Sequence, residues 1–152
     1  MNISKKDSII ARSIIMNYYD NPKYKISETI NDANYISFIN KSNSCVDNIT
    51  FLIKIKKNIV EDVKYFGIGC AISLSSTEIM LGKIINLNIK DALHIVDKFE
   101  NLLEGIEEED SEKVLDDLIV FHNIHKQPNR ISCAKIAPIS IREIFKQYNN
   151  KK

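Results

Sequence analysis

The chain reads as an α+β protein, a three-stranded antiparallel sheet packed against about five helices. Three observations predict this class. Apolar residues at helical spacing open the chain, three short β-branched runs follow in close succession, and the second half returns to helical periodicity. A length of 152 residues suffices for one domain with a core, and no repeat, linker or low-complexity stretch divides it, so residues 1–152 are expected to form a single domain.

The elements follow in order. Ser4 to Tyr19 is expected as a helix, because Ile9, Ile10, Ser13, Ile14 and Tyr18 recur at helical spacing and Ser4 or Asp7 can cap its start. Asn21-Pro22 ends it, since the residue before a proline avoids the helical region. Lys25 to Ala33 is polar and reads as loop. Asn34 to Ile39, Ile49 to Ile55 and Ile59 to Ile68 read as strands, and Lys56-Lys57-Asn58 fits a tight hairpin between the last two. Cys70 to Lys83 is expected as a helix entered directly from the third strand through Gly67-Ile68-Gly69. Ile89 to Leu103 places Ile89, Ala92, Leu93, Val96, Phe99, Leu102 and Leu103 on one face, with Asn88 as its cap. Glu104 to Asp110 is a charged, solvated exit. Ser111 to His125 reads as a helix stopped by Pro128, and Ile131 to Tyr148 as the last, with Pro138 marking a potential break.

Composition removes several classes of function. A net charge of +1 gives no electrostatic case for nucleic acid or a membrane surface. No apolar run approaches the roughly 18 residues that a membrane span needs, and no apolar segment follows Met1-Asn2-Ile3-Ser4-Lys5-Lys6-Asp7 as in a secretory signal. Three cysteines cannot all pair within one chain, so a reduced, cytoplasmic protein with metal or redox use of its thiols is expected. No Ser/His/Asp set, phosphate-binding glycine loop or carboxylate pair has suggestive context for hydrolase, kinase or glycosidase chemistry.

The cysteines and one aspartate carry the chemistry. They stand in Cys45-Val46-Asp47, in Gly67-Ile68-Gly69-Cys70-Ala71-Ile72-Ser73 and in Arg130-Ile131-Ser132-Cys133-Ala134. Three thiolates and a carboxylate, from Cys45, Asp47, Cys70 and Cys133, complete a four-coordinate set for a borderline-soft ion such as zinc. Cys45 and Asp47 are two apart, and in extended chain such residues point to one side. Cys70 opens a helix, where free N–H groups favour a thiolate, and Cys133 is expected at or near the start of the last helix with the same advantage. A zinc ion on this set keeps a net charge of about −2, and Arg130, one of only three arginines, is the cation placed to offset it. Against this, a lone buried cysteine is usually a small core residue, so the combination carries the argument and no single member does. His122 and His125 lie three apart on a helix and suit a structural or helix-terminal role better than metal binding; His94 has no assigned role.

These segments resemble the SufU branch of the IscU/NifU-like iron–sulfur cluster assembly family, over most of the chain. The family pattern is Cys-Gly-Asp, then Gly-x-Gly-Cys-Ala-Ile-Ser, then Cys-Ala or Cys-Ser at the last helix; the middle motif, Gly67 to Ser73, matches in full. Ser132 stands where IscU-type scaffolds carry a histidine, and the stretch from Cys70 to Cys133 is longer than in IscU; both features point to the SufU branch. Val46 replaces the glycine of the first motif, Asn43-Ser44 replaces the common Asn-Pro before it, and Ser132 replaces the usual lysine. The resemblance implies an IscU/SufU-like fold, zinc held by Cys45, Asp47, Cys70 and Cys133, and a SufS-type cysteine desulfurase as partner, with downstream iron–sulfur assembly proteins beyond it. It implies further that a partner histidine displaces Cys45, whose thiolate then attacks the desulfurase persulfide, making the chain a zinc-dependent sulfurtransferase. Two other readings stay open: a scaffold for a transient [2Fe–2S] cluster or iron on the same residues, and a structural zinc-binding interaction module.

Overall fold

The three β-branched runs form one antiparallel meander. In the computed structural model, which describes residues 5–41, 47–106 and 108–151, the strands are β1 (Tyr35–Lys41), β2 (Asn48–Lys56) and β3 (Ile59–Ile68), in the order β1-β2-β3. Register follows the alternation of buried residues. Phe51 in the central strand lies opposite Phe38 on one side and Tyr65 on the other. Ile49, Phe51 and Ile53 of β2 therefore share the core face with Val63 and Tyr65 of β3. The hairpin between β2 and β3 turns at Lys57 and Asn58, both at positive φ (52° and 64°), the geometry of a two-residue turn matched to strand twist. A bulge between Lys54 and Ile55 adjusts the register just before that turn. The polar stretch expected as loop covers the free edge of β3: Tyr65 N–H donates to Tyr24 O, and Ile26 N–H donates to Tyr65 O at 2.8 Å.

The helices α1 (Lys5–Asp20), α2 (Ala71–Ile84) and α3 (Ile89–Leu103) form close to their expected limits. In α1 the packed face differs in part from the expected one. Ile9 and Ile10 are exposed, while Tyr18 packs on the core as expected and is joined there by Ala11 and Ile15. Helix α2 is buried on nearly every side, including Ser73, Ser75, Ser76, Thr77 and Glu78. Serine hydroxyls donate back into the helix, with Ser76 Oγ 2.7 Å from Ile72 O, which pairs them inside a central helix, whereas Thr77 Oγ1 is buried without a hydrogen-bond partner among the described residues. Helix α3 is amphipathic, capped by Asn88, whose side chain accepts from Asp91 N–H at 2.8 Å.

Two expected helices are broken. The segment from Ser111 is α-helical only to Leu115 (α4); Asp116 then takes φ +50°, and Asp116–Lys126 continues as a 3-10 run. Apolar residues at Leu118, Phe121 and Ile124 are three apart, the 3-10 repeat, and all three are buried. The last helix divides at Lys135 into α5 (Pro128–Ala134) and α6 (Ile136–Asn150), and not at Pro138. Pro138 falls in the first turn of α6, where a missing N–H breaks no intrahelical bond. With these pieces joined, the described residues hold five helical stretches around the sheet, as expected. None of their helices is long and apolar enough to cross a membrane.

Candidate metal centre

The end of the sheet gathers three of the four residues singled out in the sequence. Asp47 immediately precedes β2 and is 2% exposed. Cys70 follows β3 as the N-cap of α2, half-buried. Cys133 lies on α5 and is 5% exposed. One ligand atom from each, a carboxylate oxygen and two sulfurs, lies within 4.8 Å of the others. This is the one group of at least three His, Cys, Asp or Glu side chains so placed among the described residues. Cys45 lies outside the described residues, so its expected place in the set is not part of this geometry.

Local structure explains the convergence. Gly67 takes φ +128°, and a Cβ there would sit 2.1 Å from Asn48 O, so β3 passes the start of β2 at a distance only glycine permits. This brings the end of β3 against Asp47. At the turn into α2, Cys70 N–H donates to Asp47 Oδ1 at 3.1 Å and Ser73 Oγ donates to the same oxygen at 2.9 Å. The Cys70 sulfur in turn accepts from Ser73 N–H at 3.4 Å, the helix-start placement that favours a thiolate. Cys133 corrects one expectation. It is the last residue but one of α5, and its sulfur faces Asn129 O at 3.7 Å, so the advantage of a helix start does not apply to it.

The other oxygen of the aspartate supplies the test of whether a cation fits. Asp47 Oδ2 is buried and has no hydrogen-bond partner among the described residues. A carboxylate oxygen stripped of water and left unpaired costs on the order of 1–3 kcal/mol or more, and a cation beside it removes that cost. Two sulfurs and one carboxylate oxygen match the donor preferences of zinc, and of iron as well.

Arg130 is exposed on α5 and forms no hydrogen bond or ion pair with Asp47, Cys70 or Cys133. It lines a groove of about 480 Å³ with Arg12, Ile15 and Ile72. His122 and His125 stand apart from the centre: His125 Nδ1 donates to His122 O at 2.9 Å, and its ring packs against Gly105, the structural role expected of it. The residue that sequence reasoning passed over is Ser73. It closes the Gly67-to-Ser73 motif and touches both Asp47 and Cys70, a position that its spacing of three from the helix cap already made available.

An antiparallel meander backed by helices, with thiols and a carboxylate meeting where β2, α2 and α5 converge, defines the IscU/NifU-like class. The chain belongs to the family of the NifU-like N-terminal domain, whose model matches residues 10–152. It is 32% identical over 137 residues to the zinc-dependent sulfurtransferase SufU of Bacillus subtilis (strain 168), covering 90% of each chain. It is 29% identical over 133 residues to the iron–sulfur cluster assembly scaffold protein IscU of Thermotoga maritima, covering 88% of this chain and 90% of that one. Among solved structures it is similar to a putative iron–sulfur cluster assembly scaffold protein for the SUF system from Fervidobacterium islandicum AW-1. That likeness has a TM-score of 0.74 and 30% identity, over 86% of this chain and 93% of the other.

Proposed function

We propose that this chain is a SufU-type sulfur acceptor: residues 1–152 act as one cytoplasmic domain that takes sulfur from a SufS-type cysteine desulfurase onto Cys45. It then passes that sulfur to downstream iron–sulfur assembly proteins. The observation that carries this reading is the approach of Asp47, Cys70 and Cys133 to within 4.8 Å, with Asp47 Oδ2 buried and unpartnered among the described residues. Asp47, Cys70 and Cys133, joined by Cys45 two positions before Asp47, would hold zinc. When bound, zinc keeps its sulfur ligands deprotonated at neutral pH without engaging in redox chemistry. The Cys45 thiolate attacks the outer sulfur of the desulfurase persulfide; the old S–S bond breaks, a new one forms on Cys45, and the desulfurase cysteine leaves as thiolate. No net oxidation occurs, because one S–S bond replaces another. The α2 N-terminus and the Ser73 N–H hold Cys70 in place while this happens.

A second reading, in which the same residues assemble a [2Fe–2S] cluster as cargo, is supported by the similarity to IscU of T. maritima. Metal analysis of protein purified in air separates the two. The sulfur-acceptor reading expects a colourless protein with about one zinc per chain, and a brown protein with iron and labile sulfide would replace it by the scaffold reading. Mass spectrometry after incubation with desulfurase and cysteine then expects one added sulfur on the Cys45 peptide. A Cys45→Ala variant that folds and still stimulates the desulfurase would sink the relay.

A further inference from the structure

We infer that Ser73 is a positioning residue that makes Asp47 a one-oxygen ligand, and so sets the centre's coordination number. The inference rests on the metal-centre reading above. Ser73 is fully buried on the first turn of α2. Its hydroxyl stands 2.9 Å from Asp47 Oδ1 and 3.1 Å from Cys70 O. One proton cannot serve both acceptors. Cys70 O already accepts Leu74 N–H at 3.0 Å, whereas Asp47 Oδ1 belongs to a buried carboxylate, the stronger acceptor, so the proton goes to the carboxylate. With Cys70 N–H on the same oxygen, Oδ1 is held by two donors. Only Oδ2, buried and without a partner among the described residues, is left for an ion.

Gly69 belongs to the same device. A Cβ at Gly69 would stand 2.5 Å from Ser73 Oγ and 3.1 Å from Asp47 Oδ1, in the space where that hydrogen bond is made. The second glycine of the motif therefore protects the serine–aspartate contact, while the first lets the strands close. A carboxylate fixed through one oxygen gives a cation a single oxygen beside the Cys70 and Cys133 sulfurs, which keeps the coordination number low, the preference of zinc. A carboxylate free to rotate offers both oxygens and admits higher coordination numbers, which suit harder cations.

The test compares the wild type, Ser73→Ala and Gly69→Ala, loaded with cobalt(II) as a spectroscopic stand-in and, separately, with zinc in competition with a chromophoric chelator. Wild type is expected to show the intense visible bands of four-coordinate cobalt with thiolate charge-transfer absorption. Ser73→Ala is expected to lose about 10–100-fold in zinc affinity, the usual effect of removing a hydrogen bond to a ligand. Its cobalt bands should weaken toward a five-coordinate spectrum while far-ultraviolet circular dichroism stays unchanged. Gly69→Ala keeps the serine but blocks its contact, so it should shift the spectrum the same way. Ser73→Thr, which retains the hydroxyl, should restore affinity toward wild type. A Ser73→Ala protein with wild-type affinity and spectrum overturns the assignment and leaves the metal centre standing. A wild type without thiolate-to-cobalt bands overturns both.

Discussion

The Tyr65 hydroxyl donates to Glu78 Oε1 at 2.9 Å, tying the middle of β3 to the middle of α2 within the core. The same carboxylate accepts Lys23 N–H at 3.0 Å and Tyr24 N–H at 3.1 Å, so Glu78, only 3% exposed, anchors the segment that covers the β3 edge. Glu78→Ala would leave these three donors unpaired and is expected to cost about 2–4 kcal/mol, the range for breaking a buried polar network. Glu78→Gln retains one acceptor oxygen and should cost less. Tyr65→Phe removes only one donor and should cost about 1 kcal/mol. Urea denaturation of the three variants checks the order, and a Glu78→Ala loss no larger than that of Tyr65→Phe would refute the clasp.

Three tyrosines predict how stability changes in alkali. Tyr65 ionises well above its ordinary range because burial disfavours the phenolate and Glu78 lies beside it. Tyr18, donating to Asp117, and Tyr35, donating to Asp62, are each pushed up to about 12 from 10.0, chiefly by those hydrogen bonds. In the folded protein these groups hold their protons more tightly than in the unfolded chain. Their contribution is therefore complete below about pH 10 and is lost as pH rises toward and through the folded values. Urea midpoints should fall steadily above that pH, and ultraviolet titration of the native protein should show part of its tyrosine absorbance appearing only after unfolding. Phenolate absorbance that is fully developed in the native state near pH 10 would contradict this.

The strands and long helices were legible because their signals are local. β-branched alternation gave β2 and β3, and Asn88 ahead of an apolar stripe gave α3. The four candidate ligands were singled out by type and motif, since each cysteine stands in its own short pattern, and the structure brings together the three that it describes, Asp47, Cys70 and Cys133. The 3-10 run was not legible, because Leu118 and Phe121 satisfy a spacing of three as readily as they join an α-helical stripe with Leu115. Ile9 and Ile10 misled for a related reason: hydrophobicity marks a helix but does not choose which side packs. The break at Lys135 has no sequence mark, whereas Pro138 has a strong one that the first turn of α6 accommodates. Buried polar contacts such as Glu78 to Lys23 N–H and Ser73 to Asp47 join residues 55 and 26 positions apart and carry no periodic signature at all.

Asp47 predicts a separation between metal-free and metal-bound stability. Asp47→Asn keeps an oxygen for Cys70 N–H and Ser73 Oγ but replaces the second oxygen by an amide that cannot ligate a cation. The metal-free variant should therefore be within about 1 kcal/mol of wild type, because the unpaired carboxylate oxygen is no longer buried as an anion. Adding zinc should raise the melting temperature of wild type and leave the variant nearly unmoved. At a free zinc concentration a thousand times the dissociation constant, the wild-type gain would be about 4 kcal/mol. Calorimetry with and without a chelator measures both quantities. Equal zinc-dependent shifts in the two proteins would place the ion elsewhere.

The 3-10 segment gives the sharpest test of the packing around the sheet's helical layer. Its backbone bonds are of poorer geometry than those of an α-helix, and it begins at Asp116 with φ +50°, so it cannot persist on local preference alone. What holds it is its buried side. Phe121 is fully buried and meets Phe99 of α3 edge to face, with ring centroids 5.8 Å apart and planes at 75°. Phe121→Ala removes that contact and opens a cavity against α3, and is expected to cost about 3–5 kcal/mol. Phe121→Leu, which keeps most of the volume, should cost markedly less. Because the segment leads directly into α5, the cavity should also loosen Cys133. The thiol is expected to react faster with a disulfide reagent in Phe121→Ala than in wild type, while in Phe121→Leu the rate stays close to wild type. A loss below about 1 kcal/mol on truncation, well short of core behaviour, would mean that this run is laid over the core and takes no part in it.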